Sequence, residues 1–306
     1  MKLVLATRGS PLALWQAEET RRLLRAARPE AIVEIEKIES TGDRDDRSDL
    51  ASLGRIGVFT AEIDRAVLEG RADLGVHSLK DMTTSLPEGL ALAGTLARGR
   101  VEDALVAGGG RTLADLLRGA RVATGSSRRV AMLRRARPDL EIVAIRGNVD
   151  TRLSKLARGD ADALVMALAG LDRLGLAEHV SEILGPPRFL PAVGQGIVGL
   201  TCRAGDERTA RAVAAITDRE SFAEAAAERA LLHALHGGCN APIGARARAV
   251  ENSISLRACV LSVDGVESLE GERSGPIGAA EALGRDLAAE LADRGATRLV
   301  LAARAR

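Results

Sequence analysis

Apolar and polar positions along this chain follow two periods, the short apolar runs of buried strands and the three-to-four spacing of amphipathic helices. Leu3 to Thr7 is an apolar run, and Ser10-Pro11 follows as an N-cap and first-turn pair opening a helix that Pro29 closes. The unit reads strand, turn, helix. From Ile32 the segment IVEIEKIES alternates apolar with charged residues, as a strand with one wet face does. A polar, glycine-containing stretch from Thr41 to Gly57 is long enough for a mobile flap. Helical spacing resumes in FTAEIDRAVLEG and stops at Gly70, before ADLGVHSLKD, an apolar strand with a charged end.

The middle of the chain restates that plan. RVATGSSRRVAMLRRARP repeats the strand, Gly/Ser turn and proline-closed helix, with Ala123-Thr124 standing where Ala6-Thr7 stood. LEIVAIRGNVDTR parallels VEIEKIESTGDRD, and ARGDADALVMAL parallels EGRADLGVHSL. A duplicated α/β unit accounts for the match, each copy built on a parallel sheet. Both strand-to-helix turns then lie at the carboxyl ends of strands, where open α/β sheets take ligands, and a cleft between the copies is the expected site. From about Asp218 the pattern changes. A helix-like ESFAEAAAERALLHALHGG, an alternating SISLRACVLSV, a helix EALGRDLAAELADRG and a last strand TRLVLAA make a small α+β domain.

Length and composition narrow the function. The 306 residues suffice for two or three domains. A net charge of +1 excludes a generally basic surface for nucleic acid, and Trp15, Phe59, Phe189 and Phe222 are too few aromatics for base-stacking platforms. Lysine occurs only at Lys2, Lys37, Lys80 and Lys155, so arginine carries the positive charge. No apolar stretch has membrane-spanning length, and the N-terminal segment, interrupted by Thr7 and Arg8, reads as a strand instead of a signal peptide. Cys202, Cys239 and Cys259 are an odd set without framework spacing, which implies a reducing, cytoplasmic compartment.

Candidate chemistry gathers at the turns. TRGSP and TGSSRR each offer backbone N–H groups at a helix start beside hydroxyls and arginines, an arrangement for carboxylate or phosphate; Ser10 and Ser126 can equally be plain helix caps. IRGNVDTRLSK adds Arg146 and Arg152, so a cleft holding Arg8, Arg128, Arg129, Arg146 and Arg152 suits a ligand with many carboxylates. Arg134, Arg135 and Arg137 read as a solvated helix face. Lys80-Asp81 ends a buried strand where catalytic groups collect in α/β folds, although an Asp there also serves turns. In LHGGCNAPIG, Gly237 and Gly238 strip bulk from the turn and Pro242 stiffens it, presenting Cys239 as an attachment point or as a structural thiol. A metal site on His233, His236 and Cys239 is rejected, because the glycines break the helix before the thiol and no fourth ligand is evident.

Six segments, ATRGSPLALWQA, EGRADLGVHSLKD, SSRR, RGNVDTRLSKL, LPAVGQGIVGLTCR and LHGGCNAPIG, stand in an order and spacing that resembles the porphobilinogen deaminase (hydroxymethylbilane synthase) family over essentially the whole chain. The resemblance implies an α/β fold with two duplicated periplasmic-binding-protein-like domains, 1–98 plus 197–216 and 99–196, and a smaller C-terminal α+β cofactor-attachment domain, 217–306. It implies a transferase of tetrapyrrole and haem biosynthesis. Four porphobilinogen molecules would be condensed head to tail with loss of ammonia, primed by one dipyrromethane per chain held through a thioether on Cys239, and released as hydroxymethylbilane. By position, Asp81 matches the family's catalytic aspartate. Cys239, Lys80, Asp81, Thr124, Ser126, Arg128, Arg129 and Arg146 match its cofactor contacts, and Arg8, Ser10, Phe59, Arg146, Arg152 and Gln195 its substrate contacts. The implied partner is porphobilinogen, with no nucleic acid, membrane or metal, in a cytoplasmic monomer. A non-catalytic binder of small anions is the rival reading of the same duplicated fold. The chain departs from the family's pattern in reading ATGSSRR for GTSSLRR, in Ile56 and Ala61 where lysines are frequent, and in Asp150 where glycine is frequent.

Overall fold

The computed structural model describes residues 1–39, 60–238 and 241–304. The expected flap, Phe59 and Cys239 lie outside the described residues. Strands β1 (Lys2–Arg8), β2 (Ile32–Ile38), β3 (Leu74–Ser78) and β4 (Leu90–Thr95) build a first sheet. A second is built from β5 (Asp103–Ala107), β6 (Arg121–Ala123), β7 (Glu141–Val143), β8 (Ala163–Ala167) and β9 (Glu182–Leu184). The chain then returns to the first sheet as β10 (Val198–Arg203), and β11 (Ile243–Val250), β12 (Ser253–Leu261) and β13 (Ser268–Pro276) form an antiparallel third.

The first two sheets have the orders β2-β1-β3-β10-β4 and β7-β6-β8-β5-β9, which match strand for strand. The repeat read in the sequence is thus a repeat of topology, two matching α/β units followed by a smaller α+β one. The sheets are mixed, however, where parallel ones were expected. β10 runs antiparallel to β3 and β4, and β5 antiparallel to β8 and β9. Each of these is the first strand after the chain crosses from one unit to the other, so it enters its new sheet from the opposite end. The two crossovers also pair with each other, Leu96 N–H donating to Val198 O at 3.1 Å and Gly99 N–H to Gly196 O at 2.9 Å. At Gly196, φ is +87° and a Cβ would fall 2.6 Å from Gly99 O, so only glycine permits this approach.

Helices begin where the turn chemistry places them. α1 (Pro11–Ala27) is capped by Ser10, whose hydroxyl accepts Ala13 N–H, and it stops before Pro29. α2 (Ala61–Leu68) precedes Gly70, which sits at φ +74°. α3 (Ser127–Ala136) is capped by Ser126 and α4 (Val149–Ala157) by Asn148, each accepting the N–H three residues on. Short helices α5 (Leu168–Arg173) and α6 (Glu207–Ala214) complete the first two units. The third packs α7 (Arg219–Ala234) and α8 (Ala280–Asp293) on its sheet, followed by α9 (Ala296–Arg304). α9 replaces the expected strand TRLVLAA. Its buried residues Ala296, Leu299, Val300 and Ala303 are spaced as a helix stripe, and that spacing overrides the β-branched content of the segment.

Two of the arginines expected to be solvated are instead tied down, Arg134 to the third unit and Arg137 within the second. Arg134 Nη1 donates to Val263 O of the third unit at 2.9 Å, and Arg137 donates to Leu113 O at 2.6 Å and Leu116 O at 2.9 Å. Arg135 alone of that group is exposed. Between the first two units, Arg173 stacks on Trp15 with Cζ 5.2 Å from the ring centroid and donates to Gly196 O at 2.6 Å.

Candidate active site

Strands β1 and β3 are parallel neighbours, so their carboxyl ends and the turns after them lie side by side. After β3 the chain makes one turn of 3₁₀ helix, Leu79–Asp81, anchored by Leu79 N–H donating to Ile197 O at 3.0 Å. Leu79 is buried and Asp81 is exposed. Beside that carboxylate is a cavity of about 80 Å³ whose walls include Arg8, Ser10, Gln16, His77 and Ser78. Gln16 Nε2 donates to Ser78 Oγ at 2.8 Å, which ties α1 to the end of β3. A wider groove of about 460 Å³ runs along the outer face of α1 from Trp15 to Arg25, and no residue around Asp81 lines it.

The second unit presents its turn differently. Thr124 is buried and its hydroxyl accepts Ser126 N–H at 3.3 Å, while Ser126 caps α3. Arg128 and Arg129, expected to line the cleft, are 3% and 6% exposed and turn inward onto Asp103. Arg129 donates to Asp103 Oδ1 from Nη2 at 2.8 Å and from Nε at 3.0 Å, and to Val165 O at 3.1 Å. Arg128 donates to Leu190 O at 2.7 Å and lies 2.8 Å from Asp103 Oδ2. Gln195, expected at the substrate, is fully buried and donates to Val101 O at 2.7 Å and Asp103 Oδ1 at 2.9 Å. Burial opposes the charge on Asp103, but the two guanidiniums prevail and hold its carboxyl well below the usual carboxylate range. Asp103 escaped the sequence reading, although an acid opening the apolar strand DALVA is itself the mark of a buried, paired carboxylate.

Two other cations keep donors available. Lys80 makes no hydrogen bond or ion pair among the described residues, and Arg152 uses only Nε, donating to Gly147 O at 2.8 Å. Burial pushes the Lys80 ammonium down to about 8; Asp81 works against that shift and Arg129 reinforces it. Burial likewise lowers Arg152, again with Arg129 adding and Asp81 opposing. Lys80 and Asp81 belong to the first unit and Arg152 to the second, yet all three share one electrostatic neighbourhood with Arg129. Arg146 is half-buried, its carbonyl accepting Lys155 Nζ at 3.1 Å. Partly desolvated cations near an exposed carboxylate can hold acidic side chains, while the carboxylate stabilises a developing positive charge.

Comparison with known proteins bears on the same residues. Residues 3–211 match the family model "Porphobilinogen deaminase, dipyromethane cofactor binding domain", and residues 222–293 match "Porphobilinogen deaminase, C-terminal domain". The chain is 48% identical over 295 residues to a porphobilinogen deaminase of Rubrobacter xylanophilus, covering 96% of this chain and 95% of that protein. It is 43% identical over 300 residues to one of Syntrophotalea carbinolica, covering 98% and 95%. Among solved structures, the methionine binding protein MetQ aligns with a TM-score of 0.47 at 13% identity, covering 74% of this chain and 94% of that one. With both family models matched in order and relatives at this identity spanning nearly the full length, the chain belongs to the porphobilinogen deaminase family, and its first two units form the dipyrromethane cofactor binding domain.

Proposed function

We propose that this chain joins four porphobilinogen molecules head to tail, with loss of ammonia at each addition, onto a dipyrromethane bound through a thioether to Cys239, and that water then cleaves the product from the retained dipyrromethane to give hydroxymethylbilane. The reading rests on the exposed Asp81 carboxylate, which follows Lys80 in the same turn and is felt electrostatically both by Lys80 and by Arg152 of the second unit.

The residues present fit the primer. Dipyrromethane made from porphobilinogen carries acetate and propionate groups, and Lys80 and Arg152 have donors that no described protein atom takes. Arg8, Ser10, Thr124, Ser126 and Arg146 are the further candidates for holding those carboxylates, with Phe59 on the substrate side. Arg128, Arg129 and Asp103 act from behind. Two guanidiniums against one carboxylate leave a net charge of +1 buried beneath the cleft, a fixed field favouring anions. The bound primer supplies a nucleophilic pyrrole carbon. Asp81 accepts the pyrrole N–H of the incoming porphobilinogen, stabilises the positive charge that spreads over that ring as ammonia departs, and takes up the ring proton after coupling. In the proposed division, 1–98 plus 197–216 and 99–196 form the cleft and 217–306 carries the thiol. No helix among the described residues is long and apolar enough to cross a membrane. A cytoplasmic monomer is the setting we propose.

Intact mass tests the attachment. The purified protein should exceed its sequence mass by one dipyrromethane, and Cys239→Ser should not. Asp81→Ala should keep the fold and lower ammonia release from porphobilinogen by about 10²–10⁴-fold. An unmodified protein that binds small carboxylates without turnover would establish the anion-binding alternative instead.

A further inference from the structure

We infer that Arg229 is a positioning residue that fixes the loop bearing Asp81 onto helix α7, which ends shortly before the glycine turn Gly237-Gly238; the catalytic part of this inference rests on the function proposed above. Arg229 Nη2 donates to Thr83 O at 2.9 Å and to Thr84 O at 3.0 Å, two and three residues beyond Asp81. Those carbonyls are its only hydrogen-bond partners among the described residues, and it has no ion pair there. Burial lowers its pKa, with no neighbouring carboxylate to offset the shift. A desolvated guanidinium without a counter-charge is expensive to keep, and the loop is all it serves.

The neighbours of Arg229 along α7 repeat the contact. Four residues earlier, Ala225 packs in one apolar cluster with Leu79, Met82 and Ile197. Four residues later, His233 Nδ1 lies 3.3 Å from Ser85 Oγ. Ala225, Arg229 and His233 therefore form one stripe of the helix that meets Met82, Thr83-Thr84 and Ser85 in chain order. On the other side of Asp81, Leu79 N–H is pinned to Ile197 O at 3.0 Å. The helix is itself immobilised, since Glu228 accepts Ala247 N–H at 2.7 Å and Glu224 accepts Ala249 N–H at 3.0 Å. The carboxylate thus has its backbone held at both ends, with α7 as the ruler between it and the glycine turn Gly237-Gly238.

The test uses holoprotein whose primer is verified by intact mass. For Arg229→Met we expect KM for porphobilinogen within about twofold of the parent and kcat lower by about tenfold or more. Amides of residues 82–88 should exchange with deuterium about tenfold faster than in the parent. Arg229→Lys, whose single ammonium can reach both carbonyls, should recover kcat to within about threefold. A kcat for Arg229→Met within about twofold of the parent, or unchanged loop exchange, overturns the inference. If Arg229→Met does not fold, Arg229→Lys combined with His233→Ala takes its place, with faster loop exchange and a kcat loss of about threefold expected and no change in either counting against the clamp. Hydrogen exchange reads the clamp even in a protein that releases no ammonia, so failure of the functional reading and failure of the clamp are distinguishable.

Discussion

Glu228 accepts the Arg98 guanidinium on both carboxylate oxygens, at 2.7 and 3.2 Å, with its own side chain fully buried. The same carboxylate accepts Gly194 N–H and Ala247 N–H, each at 2.7 Å, so one charge joins both crossovers to the third unit. Removing Glu228 leaves buried Arg98 only Glu224 as a counter-charge, 2.9 Å away and shared with Arg246, and leaves Gly194 N–H and Ala247 N–H without their acceptor. We expect Glu228→Ala to lose about 3–5 kcal/mol in denaturant unfolding, and Arg98→Met/Glu228→Leu to recover part of that loss. A cost below about 1 kcal/mol for Glu228→Ala would show that the units are held together elsewhere.

Lys80 is the group expected to set an alkaline limit on binding. Burial lowers its ammonium from 10.5 to about 8, so the charge is present below that pH and lost as pH rises through it. If Lys80 recruits acidic side chains, kcat/KM, which reports the free enzyme, falls above pH about 8. Lys80→Arg should extend the plateau beyond pH 10 because guanidinium stays protonated there. An alkaline limb that stays put in Lys80→Arg belongs to another group.

Local physics made much of this architecture readable. Ser10 and Ser126 are recognisable as caps because capping involves only the next three residues, and both hydroxyls accept the expected N–H. The place of Asp81 just after β3 was legible because strand ends in α/β units are predictable from the apolar run before them. The direction of β10 was not. It pairs with β3 across more than a hundred residues, as in Val198 with Ser78, and no local periodicity encodes that return. The arginines show the same division. Their residue type was legible, but burial of Arg128 and Arg129 depends on Asp103, a partner from a different strand. Arg229 was invisible for a related reason, since its partners are backbone carbonyls that no side-chain pattern marks.

Asp103 governs more than its own neighbours. Asp103→Asn would leave two buried guanidiniums without a counter-charge, and we expect a loss of about 3–5 kcal/mol in stability. It also removes one of the charges that favour the Lys80 ammonium, so the alkaline limb of kcat/KM should move to lower pH than in the parent. A destabilised protein whose limb is unmoved would confine Asp103 to structure.

Asp64 and His77 form a second buried pair, with His77 Nε2 3.6 Å from Asp64 Oδ1 and 3.1 Å from Thr201 Oγ1. Burial raises Asp64 to about 6, against a hydrogen bond from Thr60, and lowers His77 to about 4. The linkage signs are opposite. Between pH about 4 and 6 the folded protein holds more of the Asp64 proton than the unfolded chain, so this carboxyl makes stability fall as pH rises. His77 binds fewer protons folded than unfolded from about 4 up to its ordinary 6.5, so its contribution rises with pH. The two slopes largely cancel in the parent. Asp64→Asn should expose the histidine slope and His77→Gln the carboxyl slope, each up to about 1.4 kcal/mol per pH unit. Urea midpoints measured from pH 4 to 6.5 read both, and parallel profiles for the two variants would mean that folding leaves both pKa values unshifted.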